Sequence, residues 1–133
     1  MIRFVVALVA LLSCAPLLAE TERQAEARLA PKYNAQQEVR CPGGERADLV
    51  NETHAFEIEW AKPEKQWESI GQSLFYAHEL QKEPAIILLV TDPIAQAPVV
   101  ATMRRRCERM GIALFIEEAT AEPKVKVRRR LRG

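Results

Sequence analysis

"HAFEIEWAKPEKQWESIGQSLFYA", residues 54–77, reads as a strand that runs directly into a helix. Period-two alternation in the strand puts Phe56, Ile58 and Trp60 on one face and Glu57 and Glu59 on the other. In the helix, Trp67, Ile70, Leu74 and Ala77 make an apolar stripe at helical spacing. Gln72 and Tyr76, one turn apart, lie on a different side. Lys62 and Lys65 stand at the junction. A pair of carboxylates on one strand face is ordinary where that face meets water. It carries chemistry only if other polar groups converge on it.

The elements on either side fix the fold class. Upstream, "TERQAEARLAPKY" (21–33) reads as a helix, "QQEVRC" (36–41) as a strand and "PGGE" (42–45) as a turn. "RADLV" (46–50) is a second strand, joined by "NETH" to the strand that opens the quoted stretch. Downstream, "AIILLVTD" (85–92) is an unbroken apolar run, the pattern of a strand covered on both faces. A helix through "APVVATMRRRCERM" (97–110) stops at Gly111, and "IALFIEE" (112–118) is the last strand. Short turns let the first strands pair antiparallel, whereas strand–helix–strand needs a parallel crossover. The expectation is an α/β domain over residues 20–122, three-layer α/β/α with a mixed central sheet. A chain of 133 residues is long enough for one such core.

The flanks speak to location. Residues 1–19 read as a signal peptide, with Arg3 as the n-region, "FVVALVALL" as the h-region and cleavage after Ala19. That apolar run is short for a bilayer span, so no stable membrane span is expected. "LLSC" offers a rival reading, a lipoprotein anchored at Cys14. Either way the mature chain is exported, periplasmic or secreted. In an oxidising compartment Cys41 and Cys107 are the candidates for a disulfide. No Cys-x-x-Cys spacing points to structural zinc.

Net charge is +1, which excludes a global basic field. Basic runs do occur locally, in "RRRCER" (104–109) and in the tail at 123–133, where they read as solvated surface or nucleic-acid contacts. His54 and His78 have no partner at ligand spacing and read as structural or exposed. "NET" (51–53) matches a glycosylation acceptor. The chain carries no Gly-x-Ser-x-Gly, no dinucleotide fingerprint and no phosphate-binding loop.

Asp48 lies on the second strand, and if that strand and the third form a hairpin through "NETH", it and the Glu57/Glu59 pair can converge at one edge of the sheet. Carboxylates sharing a small volume repel, and a hard divalent cation relieves the repulsion. At these residues the chain resembles the PD-(D/E)XK nuclease superfamily. That superfamily has the same helix, three-strand meander, helix and strand, with an Asp on the second strand and (D/E)-x-K on the third. Asp48 and "EIE" match, with Glu57 as the second acid and Glu59 at the lysine position. "QSLFY" resembles the Q-x-x-x-Y element of recombination exonucleases. Ala47 stands where proline usually precedes the Asp. The likeness covers most of the chain after residue 19.

The resemblance implies a restriction-endonuclease-like fold and a metal-dependent endo- or exonuclease hydrolysing phosphodiester bonds in nucleic acid, DNA ahead of RNA. It implies Mg²⁺ (or Mn²⁺) on Asp48 and Glu57 with the Ile58 carbonyl, and no small-molecule cofactor. Glu59 and Lys65, with Lys62 as a second candidate, would orient water. Gln72 would bond near the nucleophile or phosphate, and Tyr76 would touch the nucleic acid. Glu22 and Glu26 of the first helix would join the site, as such acids do in some members. The alternative is a catalytically inactive nuclease-fold module, binding or scaffolding in the cell envelope. Such a module needs an intact core but no convergent acids.

Overall fold

The computed structural model describes residues 19–120, so residues 1–18 of the expected signal segment, Cys14 included, and the basic tail at 123–133 lie outside it. The order is α1 (Glu22–Leu29), β1 (Gln36–Arg40), β2 (Arg46–Val50), β3 (His54–Trp60), a 3-10 turn (Pro63–Lys65), α2 (Gln66–Leu80), β4 (Glu83–Val90), α3 (Ala97–Met110) and β5 (Ala113–Glu118). The strands form a five-stranded sheet in the order β1-β2-β3-β4-β5. β1, β2 and β3 pair antiparallel, and β3, β4 and β5 pair parallel.

This topology sorts the helices. Successive right-handed crossovers between parallel neighbours place their helices on one face of the sheet. α2 and α3 accordingly share a face, where Ile70, Met103 and Cys107 pack with Ile86, Leu88 and Val90. α1 covers the opposite face, with Ala25 and Leu29 against Leu49, Phe56, Ile58, Ile87 and Leu89. β4 is buried on both sides, as its unbroken apolar run requires. The arrangement is the expected three-layer α/β/α domain.

Local chemistry sets the element ends. Thr21 and Gln24 form a reciprocal capping box at the start of α1. α1 stops at Leu29, short of Tyr33, because Pro31 has no N–H to donate and crowds the preceding turn. Gly111 closes α3 in the left-handed region, with φ 68°. Gln96 ties three segments together. Its Oε1 accepts from the N–H groups of Thr91 and Asp92, both at 2.8 Å, and its Nε2 donates to the Ala61 carbonyl at 3.0 Å.

Two expectations need correction. Cys41 and Cys107 are free, buried thiols. Cys41 follows β1 at one edge of the sheet, whereas Cys107 sits on α3 against β4, so the strands between them keep the sulfurs apart. The apolar stripe of α2 also lacks its first member. Ile70 and Ala77 are buried, but Trp67 is 62 % exposed at the helix start.

Asn51 of "NET" is built into the fold. Its Oδ1 accepts from the N–H groups of Thr53 and His54, at 3.0 and 2.8 Å, and its Nδ2 donates to the Tyr33 carbonyl at 2.9 Å. The side-chain nitrogen that would carry a glycan therefore joins the β2–β3 turn to the end of α1. His54 belongs to the same corner, its Nδ1 2.7 Å from Thr53 Oγ1. Replacing Asn51 with Ala orphans backbone donors and a carbonyl, and is expected to cost about 1–3 kcal/mol in urea unfolding. Asn51→Asp keeps the acceptor and loses only the bond to Tyr33, so it should cost less.

Candidate functional site

The site begins where a ladder fails. β2 and β3 pair at Leu49–Phe56 and Val50–Ala55 and no further. Beyond that point the strands diverge, and the N–H of Ile58 donates to Asp48 Oδ2 at 2.8 Å. A side-chain carboxylate thus takes a donor that a continuous ladder would have given to backbone. The fork opens beside Glu57 and Glu59.

The opposite side of β2 is distorted at the same level. β1 and β2 pair at Gln37–Leu49 and at Val39–Ala47, which sets Glu38 opposite Asp48, yet that pair is missing from the register. Glu38 adopts φ 52°, a left-handed conformation that costs a non-glycine residue roughly 1 kcal/mol. Here the strained residue carries a carboxylate that meets two others. One oxygen each of Glu26 (α1), Glu38 (β1) and Asp48 (β2) lies within 4.8 Å of the rest.

Glu57 and Glu59 are not the wet face of a half-exposed strand. They retain 7 % and 6 % of their surface, and Glu26 retains 4 %. Oε2 of Glu57 and Oε1 of Glu26 are buried with no hydrogen-bond partner. Unpaired buried carboxylates are rare because each forfeits its hydration.

The electrostatics follow. Burial, then the charges of Asp48, Glu59 and Glu22, push Glu57 up to about 10. Burial pushes Asp48 up to about 6, opposed by the Ile58 N–H and helped by the charges of Glu22 and Glu38. Glu26 is raised to about 7 by burial and by the charges of Glu38 and Asp48. Glu59 is raised to about 7 by burial, against the Trp60 N–H that it accepts at 2.9 Å, with Glu22 adding to the rise. At neutral pH the group is held by protons or by a cation. The donor atoms are all carboxylate oxygens, the set that suits Mg²⁺ or Mn²⁺ and not a thiophilic ion.

The residues singled out from sequence divide. Asp48, Glu57 and Glu59 converge, joined by Glu22 and Glu26 from α1. Tyr76 borders them, its phenol raised to about 12 by burial and by the charges of Glu57 and Asp48. Ile58 meets the site through its N–H. Lys65 stays at the surface, paired with Glu68 at 3.1 Å, although its charge still lowers Glu59. Lys62 is exposed. Gln72 is half-buried and makes no side-chain hydrogen bond among the described residues. Glu38 is the residue that the sequence reading missed. The short "PGGE" turn fixes the hairpin register that sets it opposite Asp48, so the signal lay in the turn and not in any acidic spacing.

Among the described residues no helix is long and apolar enough to cross a membrane. No family profile, no curated protein and no solved structure matches the chain.

The raised values give a pH dependence of unusual sign for carboxylates. A folded-state value above the unfolded one means that the folded chain holds extra protons, so stability is complete below about 4.5. It falls as pH rises through about 6 for Asp48 and about 7 for Glu26 and Glu59. In chelator, the melting temperature should therefore drop between pH 5 and pH 8, by at least about 5 °C. Millimolar Mg²⁺ or Mn²⁺ should restore most of the loss at pH 8 and little at pH 5. Glu57→Gln should flatten the metal-free profile.

Proposed function

We propose that the protein is an exported, divalent-cation-dependent hydrolase of phosphodiester bonds in DNA. The observation that carries this reading is the convergence of the buried Glu26 with the half-buried Glu38 and Asp48, beside a Glu57 whose Oε2 is buried without a partner, at the point where β2 parts from β3. The resemblance to the PD-(D/E)XK superfamily agrees with it in element order and in the positions of Asp48 and Glu57.

Glu26, Glu38, Asp48 and Glu57 would hold the cation, a wider set than the two acids read from sequence. When bound, the cation would supply Lewis-acid polarisation of a phosphate oxygen and a lowered pKa for water. The chain's own residues do the rest. Glu59, raised to about 7, is poised to accept a proton from the attacking water near neutral pH. As that water adds to phosphorus, the P–O bond to the leaving alkoxide breaks, and the alkoxide takes a proton from solvent. Lys65, released from Glu68, would offset the charge gathering on the phosphoryl oxygens. The Tyr76 phenol, kept protonated, offers a hydrogen-bond donor to the phosphate.

One observation favours a second reading, a cation-stabilised binding or scaffold module without catalysis. The only lysine near the acids is committed to Glu68 among the described residues.

Calorimetry with Mg²⁺ and Mn²⁺, paired with nicking of plasmid and single-stranded DNA, separates the two. Asp48→Asn, Glu57→Gln and Glu26→Gln should each remove cation binding and lower cleavage about a hundred-fold or more while the protein stays folded. Lys65→Ala should keep the cation and lose cleavage. Cation binding with no cleavage in the wild type selects the module. Cleavage undiminished in Asp48→Asn removes the site assignment.

A further inference from the structure

At the start of α2 an indole lies in the open. Trp67 is 62 % exposed, and the Arg106 guanidinium of α3 stacks on it, 4.4 Å from the ring centroid. Arg106 also donates to Oε1 of the buried Gln66, which fixes the plane of its guanidinium. Arg109, one turn beyond Arg106, is its neighbour on α3, and Arg105, one turn before Arg109, continues the basic surface onto the outward face of the helix. Arg105 is steadied by a bond to Thr102 Oγ1 at 3.3 Å. Glu108 stands one turn from Arg105, yet no described carboxylate is within ion-pair distance of Arg105, Arg106 or Arg109.

We propose that this surface, Trp67 with Arg105, Arg106 and Arg109, binds single-stranded nucleic acid. A base stacks on the indole–guanidinium platform, and phosphates pair with the flanking arginines. Charge complementarity selects the occupant. Guanidinium groups without carboxylate partners among the described residues, one of them stacked on a flat aromatic face, match a polyanion that carries its own flat rings. A membrane surface fits less well, since Arg106 covers the indole that would have to insert. Position supports the same occupant: Lys65, two residues before Trp67, lies close enough to the acids for its charge to lower Glu59. A strand held on the platform passes toward the cluster. The inference deepens the phosphodiesterase reading and rests on it for the class of ligand.

The test is fluorescence anisotropy with a labelled oligothymidylate, in EDTA, so that cation binding at the acids plays no part. Wild-type protein should bind. Trp67→Ala and Arg106→Ala should each weaken binding about ten-fold or more, whereas Trp67→Phe keeps most of it. Arg106→Gln should also lower the slope of log K against log salt by roughly 0.7. Trp67 and Arg106 lie outside the core, and circular dichroism checks that the variants fold.

The proposal is overturned by absence of wild-type binding, by unchanged affinity in both Trp67→Ala and Arg106→Ala, or by equal affinity for duplex of the same length. It is also overturned if the variants impair only anionic-vesicle binding or self-association. Intact oligonucleotide binding with no cleavage in Mg²⁺ defeats the hydrolase reading and leaves the surface standing. Cleavage with affinity untouched by both variants defeats the surface alone.

Discussion

The bond from the Ile58 N–H to Asp48 Oδ2 organises the rest of the molecule. Had β2 and β3 continued to pair past Leu49 and Phe56, the donor would have gone to backbone and the strands would have stayed together. By taking it, Asp48 lets the sheet open while keeping the Ile58 N–H paired. Everything chemically distinctive sits in that opening. α1 delivers Glu22 and Glu26 to it, β1 delivers Glu38, and β3 lines it with Glu57 and Glu59. The parallel half of the sheet carries the stability that lets the antiparallel half be irregular. β3 pairs with β4 along its whole length, and β4 with β5.

The cost of the arrangement lies in charge. Glu26, Glu57 and Glu59 are buried with no arginine or lysine in ion-pair distance among the described residues, Arg23 reaching only the half-buried Glu38 at 3.9 Å, and burial without such partners raises their pKa values. A buried network that served packing alone would be expected to satisfy its members, because an orphaned polar atom costs more than an apolar one. Glu26 Oε1 and Glu57 Oε2 are left orphaned instead. The left-handed backbone of Glu38 points the same way, since an unstrained strand was available to the chain. Strain at Glu38, burial of Glu26 and Glu57, and their unpaired acceptor atoms thus meet around one point, which is what the proposed cation site rests on.

Much of this was legible in the sequence. Period-two spacing in "HAFEIEW", the apolar run of β4 and the Gly111 stop placed the sheet and its crossovers. Asp48, Glu57 and Glu59 were legible as a candidate group because a short hairpin brings them level. Their burial was not legible. Alternation says that Glu57 and Glu59 share a face but cannot say that the ladder opens beside them, for that depends on which partner Asp48 chooses. Glu38 was missed for a related reason: its role comes from cross-strand register, which needs the "PGGE" turn to be read as a ruler. The cysteines misled because compartment says whether thiols oxidise, while sheet order says whether they meet. Trp67 misled because helical periodicity continues to the first turn of α2 even where the helix overhangs the sheet.

The displacement of the basic residue is the point at which the sequence comparison and the physical one part. In the superfamily that the chain resembles, lysine follows the second acid by two residues on the strand itself. Here that place is held by Glu59, and the nearest ammonium, Lys65, enters from the start of α2. A lysine on the strand would be held beside Glu57 and would lower it by direct attraction. Lys65 sits at the surface, paired with Glu68, and its charge is felt by Glu59 and Glu22 but not by Glu57, which keeps a value of about 10. The swap therefore leaves the innermost acid dependent on a proton or a cation, and it puts a group titrating near neutrality where the strand lysine would have stood. On the proposed reading, such a site would take its proton acceptor from Glu59 and its positive charge from a bound cation, and its activity would then follow cation occupancy more steeply than in a site whose lysine is fixed on the strand.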